Sequence, residues 1–144
     1  MTAFILDASV TAAWLLPDTA SEHTRRLYTL IRRDEVEPQA PNLWQWECSN
    51  LISSGVHSGR IPVASVEGLW SVLEAIRHRV ELHDLAPAQH KAVMDVALDT
   101  GLPTFDAAYL WLARSLHLPL ATFDPQQIAA AQRSGVPLLD LSSL

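Results

Sequence analysis

Four carboxylates in this 144-residue sequence occupy positions from which they could act together. Asp7 directly follows the strand-like run Phe4-Ile5-Leu6, and Asp124 follows Leu120-Ala121-Thr122 with only Phe123 between. Asp106 opens the helix-period segment 105–117, and Glu47 sits inside another, 42–57. Three of them have ordinary local explanations. Asp7 suits a helix N-cap, Asp124 before Pro125 reads as a cap with proline at the first helical position, and Asp106 lies where a negative charge favours the positive end of a helix dipole. Glu47 is harder to dismiss, because Trp44, Glu47, Cys48 and Leu51 follow i, i+3, i+4, i+7 spacing, which puts the acid on an apolar stripe. An ionised carboxylate there needs a cationic partner or a metal, and no Lys or Arg lies one turn away. If the four acids gather, their mutual repulsion calls for a cation, and oxygen-only ligands select hard ions such as Mg²⁺ or Mn²⁺. Zinc is disfavoured: the histidines at 23, 57, 78, 83, 90 and 117 are scattered and show no metal-ligand spacing.

The elements that must position these acids alternate along the chain. Strands are expected near Phe4–Leu6, Val36–Ala40, Val80–His83, Leu120–Thr122 and Leu138–Leu141. Helices are expected at about 8–16, 21–33, 42–57, 63–78, 87–100, 105–117 and 125–134. Pro17, Gly55, Gly59, Pro62, Pro87, Gly101, Pro103, Pro119 and Gly135 fall at or near proposed ends, as chain breakers should. This is the pattern of an α/β domain with a mainly parallel central sheet. Ligands of such sheets bind beyond the carboxyl ends of the strands, where Asp7 and Asp124 are both expected.

Length and an apolar content of 49% suit a single domain spanning 1–144 with a core of ordinary size. No run approaches the roughly 18 uncharged apolar residues of a membrane helix, and Met1 leads into a strand-like segment without a basic region, so a cytoplasmic location and no membrane contact are expected. The single Cys48 has no internal partner and reads as a small core residue. A net charge of −6 is the wrong sign for holding nucleic acid by phosphate neutralisation, unless bound cations reverse the field where a phosphate would lie.

Taken together, Ile5-Leu6-Asp7-Ala8-Ser9, the segment Pro41 to Asn50 with Glu47, Phe105-Asp106-Ala107-Ala108-Tyr109 and Thr122-Phe123-Asp124 resemble, in order and interval, the four acidic motifs of PIN-domain ribonucleases. Within that family the chain looks like the VapC-type toxins of toxin–antitoxin pairs, over nearly its whole length. The resemblance implies a three-layer α/β/α fold, one or two Mg²⁺ or Mn²⁺ ions held by the four acids, and endonucleolytic RNA cleavage leaving a 5′-phosphate. It also implies a homodimer and a cognate VapB-like antitoxin lying across the groove, through which any DNA contact would be indirect. On this reading Asp7, Glu47 and Asp106 hold the principal ion and Asp124 completes that site or a second one, so that metal-activated water attacks the phosphodiester. Ser9 and Thr122, beside the acids, are candidates to orient carboxylates, though capping or turn bonds explain them equally well. Arg25, Arg26, Arg32, Arg33, Arg60 and Arg114 are the available phosphate contacts, with Arg60 preferred because it follows the acid-bearing helix.

Two other functions fit parts of the pattern. A receiver-type phosphotransfer domain would want adjacent acids after its first strand and a late-strand lysine; here Ala8 follows Asp7, and the only lysine, Lys91, lies in a helical segment. A catalytically silent PIN-like binding module would be expected to lack acids, whereas all four are present. Trp44, Trp46, Trp70 and Trp111 are expected to serve core or dimer packing before base stacking. The stripe Val66, Leu69, Leu73, Ile76, Val80 marks an amphipathic helix suited to an antitoxin or a second subunit. Lys91, Asp95 and Asp99 read as a solvated, partly paired helix face.

Overall fold

The computed structural model describes residues 1–16 and 18–144. Pro17, read as a breaker after the first helix, lies outside them. The described chain runs β1 (Thr2–Leu6), α1 (Ala8–Leu15), α2 (Glu22–Arg32), β2 (Val36–Pro41), α3 (Leu43–His57), a 3₁₀ turn at Val63–Ser65 leading into α4 (Val66–Arg77), β3 (Glu81–His83), α5 (Pro87–Thr100), α6 (Thr104–Leu116), β4 (Leu120–Ala121), α7 (Pro125–Ser134) and a 3₁₀ turn at Leu141–Ser143.

All three strand pairings are parallel, in the order β3-β2-β1-β4. Phe4, Ile5 and Leu6 are fully buried, as a central parallel strand covered on both faces requires. On one face α6 packs against β1 and β2, with α5 and α7 against α6; α1 to α4 form the other helical layer. The fold is the expected three-layer α/β/α sandwich. The chain proceeds outward from β1 to β2 and β3, then returns to place β4 on the other side of β1. The gap between the carboxyl ends of β1 and β4 is therefore the topological switch point, where a crevice opens above the sheet. The Asp7 N–H donates to the Ala121 carbonyl at 3.0 Å, which holds the two strand ends at one level.

Local chemistry sets the element ends. α2 opens with a capping box in which Ser21 and Thr24 satisfy each other's backbone N–H. α5 begins with Pro87 at the first helical position and ends at Gly101, whose φ of 79° lies in the left-handed region that closes helices. The expected helix 63–78 starts as a 3₁₀ turn and becomes α-helical only at Val66. β3 begins at Glu81 because the Val80 N–H is engaged by the end of α4, donating to the Ile76 carbonyl at 3.1 Å. The expected strand Leu138–Leu141 is reduced to one parallel bridge between Leu120 and Leu138. Pro137 offers no N–H, and Asp140 turns the chain by accepting from the Ser142 N–H at 3.0 Å, so the ladder stops where the 3₁₀ turn begins.

The core is one contiguous cluster around β1, and two of its largest members bear on the acids. Trp44 is fully buried, with its indole N–H on the Thr11 hydroxyl at 3.1 Å, which ties α3 to α1. Tyr109 is fully buried on α6.

Candidate active site

Asp7, Glu47, Asp106 and Asp124 all line one cavity of about 240 Å³ at the switch point, together with Ala8, Ser9, Asn50 and Leu51. Each acid comes from a different element. Asp7 follows β1 at the start of α1, Glu47 projects from α3, Asp106 from the first turn of α6, and Asp124 from the N-cap of α7.

Asp7 is buried, yet its side chain makes no cap hydrogen bond to α1. Its Oδ2 instead accepts from the hydroxyls of Ser9 and Thr122, each at 2.7 Å. Ser9 also accepts from the Phe123 N–H at 2.9 Å, and Thr122 from the Asp124 N–H at 3.1 Å, so both hydroxyls lock the loop after β4 onto Asp7. Ser9 and Thr122 thus both donate to the same oxygen of Asp7. Burial pushes the Asp7 carboxyl above its ordinary range; the two hydroxyls oppose that shift and the nearby Asp124 charge adds to it.

Glu47 is half-buried and pushed up to about 7, chiefly by desolvation, then by the charges of Asp7 and Asp106, while a hydrogen bond from Tyr109 opposes the rise. Asp106 is pushed up to about 6 by the same causes, desolvation first, then the Asp7 and Asp124 charges. Among the described residues neither is in an ion pair. Nor do any three His, Cys, Asp or Glu side chains there converge tightly enough to enclose an ion; the acids stand apart around the cavity wall, as like charges do. The donor set nevertheless fits a hard divalent cation: four carboxylates, no nitrogen or sulfur ligand on the wall, and no arginine or lysine neutralising them.

For Asp124 the ordinary explanation is also true, since its Oδ1 caps α7 by accepting from the Gln126 N–H at 2.9 Å. That dual position gives a test. Asp124→Asn keeps a capping acceptor and should leave the melting temperature within about 1–2 °C, whereas Asp124→Ala should cost about 1 kcal/mol. If the acid serves the cavity, both variants lose divalent-cation affinity equally, by calorimetry. If it serves only the helix, affinity follows wild type in both.

Arg60, the preferred RNA contact, lies outside the acid cavity. It is exposed and paired with Asp18 at 2.8 Å. It lines a neighbouring depression that shares Asn50 and Leu51 with the cavity. Arg26 is engaged with the Leu144 carbonyl, and Arg32 lies over the Tyr28 ring. Trp44 is core, as expected, whereas Trp46 and Trp70 are 74% and 45% exposed.

Three residues at the site escaped sequence reading. Tyr109 donates its hydroxyl to Glu47 Oε1 at 2.5 Å. Gln127, fully buried on α7, donates its amide to the Asp106 carbonyl at 2.7 Å and so ties the starts of two acid-bearing helices together. Asn50, one turn beyond Glu47, stands exposed at the mouth. Asn50 and Tyr109 each had a sequence cue, their places in the Pro41–Asn50 and Phe105–Tyr109 motifs, and Gln127 had none.

No protein-family model matches the sequence, and no curated protein aligns with it significantly. Solved structures do match. PAE2754 from Pyrobaculum aerophilum superposes with a TM-score of 0.68 at 22% identity, over 99% of this chain and 92% of its own. FitAcB from Neisseria gonorrhoeae superposes with a TM-score of 0.59 at 18% identity, over 98% of this chain and 99% of its own. These likenesses establish that the chain shares the fold of these two proteins, the three-layer α/β/α sandwich expected from its sequence.

Proposed function

We propose that this chain is a divalent-cation-dependent endoribonuclease of the PIN type, acting as the toxin of a toxin–antitoxin pair, with Asp7, Glu47, Asp106 and Asp124 as the cation ligands. The observation that carries the reading is the convergence of four carboxylates, from four separate elements, on one crevice at the switch point of a parallel sheet. Structural caps and ion pairs would scatter over the surface. These acids share a cavity in which burial and mutual repulsion raise three of them, an arrangement that costs stability unless a cation relieves it.

When bound, Mg²⁺ or Mn²⁺ would polarise the phosphate, make a water more acidic and neutralise charge on the leaving 3′-oxygen. The chain's own residues supply position and field. Ser9 and Thr122 fix the Asp7 carboxylate through Oδ2. Gln127 holds the first turn of α6, and with it Asp106. Asn50 offers an amide at the mouth, where a phosphate oxygen can accept. The acidic balance of the whole chain directs RNA to this site only after cations have reversed the local field.

The likeness to FitAcB supports the toxin–antitoxin part of the reading. An apolar groove of about 560 Å³, lined in part by Trp14, Leu16, Ile61, Pro62 and Leu69, reaches Arg60 and suits a cognate VapB-like antitoxin. A homodimer belongs to the same proposal, and the exposed Met94, Leu98 and Phe105 are available to it.

Arg60 gives a graded prediction, because it touches the depression next to the acids without belonging to them. Arg60→Ala should raise KM for RNA roughly 5-fold, leave kcat unchanged, and lower the slope of log affinity against log salt by roughly 0.7, the share of one phosphate contact on a single strand. Steady-state kinetics at several salt concentrations check this; an unchanged KM and slope would make Arg60 only the partner of Asp18. The function itself is tested by incubating partner-free protein with end-labelled RNA and DNA in Mg²⁺, Mn²⁺ or EDTA.

A further inference from the structure

Asp106 and Tyr109 are three residues apart on α6, so they lie on one face of the helix. The first faces the acid cavity. The second is fully buried, and its hydroxyl reaches across 62 positions of sequence to donate to Glu47 Oε1 at 2.5 Å. No other side-chain hydrogen bond and no ion pair holds the Glu47 carboxylate among the described residues. Glu47 therefore has one polar tether, and that tether sits on the helix that also delivers Asp106. A glutamate side chain turns about several torsions, and on the apolar stripe of α3 this bond is the polar contact that selects among them.

We propose that Tyr109 is a positioning residue of the acid site: its hydroxyl engages Glu47 Oε1, fixes the carboxylate relative to Asp106, and leaves Oε2 as the oxygen that a divalent cation can use. This rests on the reading of the acids as cation ligands. The tether makes α6 responsible for two of the four acids, one directly and one through Tyr109. Buried partners that orient a metal-binding carboxylate in this way typically change metal affinity by about 10-fold or more when removed.

The test is Tyr109→Phe, which keeps the ring in the core and removes only the hydroxyl. Mn²⁺ binding by calorimetry on the folded, RNA-free protein is expected to weaken about 10-fold, and kcat for RNA to fall about 10-fold with KM unchanged. Tyr109→Met, which also lacks the hydroxyl, should weaken Mn²⁺ binding by a similar factor and serves if the first variant does not fold. In a Glu47→Gln background Tyr109→Phe should have no further effect on Mn²⁺ affinity, because the oxygen it orients no longer carries the charge. A role in packing alone predicts a different outcome, a shifted melting temperature with Mn²⁺ affinity equal to wild type, and that result overturns the proposal. A wild-type protein that binds no Mn²⁺ overturns the reading of the site and the proposal with it. A wild type that binds and a Tyr109→Phe that binds equally well overturns the proposal alone.

Discussion

Asp7→Asn is expected to abolish cation-dependent RNA cleavage, by at least roughly 10²–10³-fold, while raising the melting temperature of the metal-free protein. The two effects come from one carboxylate. An asparagine at this position would keep an oxygen able to accept from Ser9 and Thr122, the bonds that now fix Asp7 at 2.7 Å each, so the loop after β4 stays in place. What is lost is a buried negative charge facing Asp124, Glu47 and Asp106, which raises the protonation range of its neighbours and contributes repulsion to the folded state. Removing it should stabilise the fold and, on the proposed reading, remove a cation ligand. A residue that served only as a helix cap would leave the melting temperature nearly unchanged, because asparagine caps about as well as aspartate. The measurement is a melting curve in EDTA beside a cleavage assay in Mg²⁺ or Mn²⁺. Unchanged cleavage, or a lower melting temperature with cleavage retained, would show that Asp7 serves the fold and not a reaction.

The second large effect is on stability against pH. Asp7 is raised above its ordinary range, Glu47 to about 7 and Asp106 to about 6. Groups raised in the folded state hold protons there that the unfolded chain has released. Their contribution to stability is complete below the unfolded values near 4 and is lost as pH rises through about 6 to 7. The exposed Asp18 and Asp140 and the half-buried Glu74 are lowered by their hydrogen-bond partners, so their contributions change only in more acid solution. Between pH 5 and 8 the cavity acids dominate. In EDTA the melting temperature should therefore fall by roughly 3 °C from pH 5 to pH 8, the size of a change of about 1 kcal/mol in a domain of this length. Mg²⁺ or Mn²⁺ added at pH 8 should restore it, since a ligand that binds only the folded state stabilises by mass action. A flat profile in EDTA, or a fall that cations do not reverse, would mean that the acids do not act on one another as the cavity implies.

Much of this arrangement is legible in the sequence because the strand ends are. Phe4-Ile5-Leu6 and Leu120-Ala121-Thr122 are short apolar runs with acids close behind them, and parallel pairing then forces Asp7 and Asp124 onto one rim. Glu47 is legible for a different reason, an acid on an apolar stripe without a cation one turn away. The roles of Tyr109 and Gln127 are not legible, because an apolar helix containing a tyrosine reads as ordinary core. What gives each its meaning is a partner far along the chain, Glu47 for one and the Asp106 carbonyl for the other. The overextended last strand fails at the reverse step. Leu138-Leu139 has the right pattern, but Pro137 and Asp140 at its two ends allow only a bridge. Exposure of Trp46 and Trp70 is likewise not legible from residue type: Trp46 stands two residues from both buried Trp44 and buried Cys48, on the side of α3 turned from the core, and Trp70 lies at the edge of the α4 face that buries Leu73 and Ile76.

The most direct test of the central claim is cleavage of end-labelled RNA and DNA oligonucleotides of one sequence by purified, partner-free protein, in Mg²⁺, Mn²⁺ and EDTA, with Asp7→Asn as the control for contaminating nuclease. The four-acid site predicts RNA cut in either cation, with 5′-phosphate ends, no cutting in EDTA, and none by the variant. RNA cleavage that persists in EDTA, or that wild type and variant share, would contradict it.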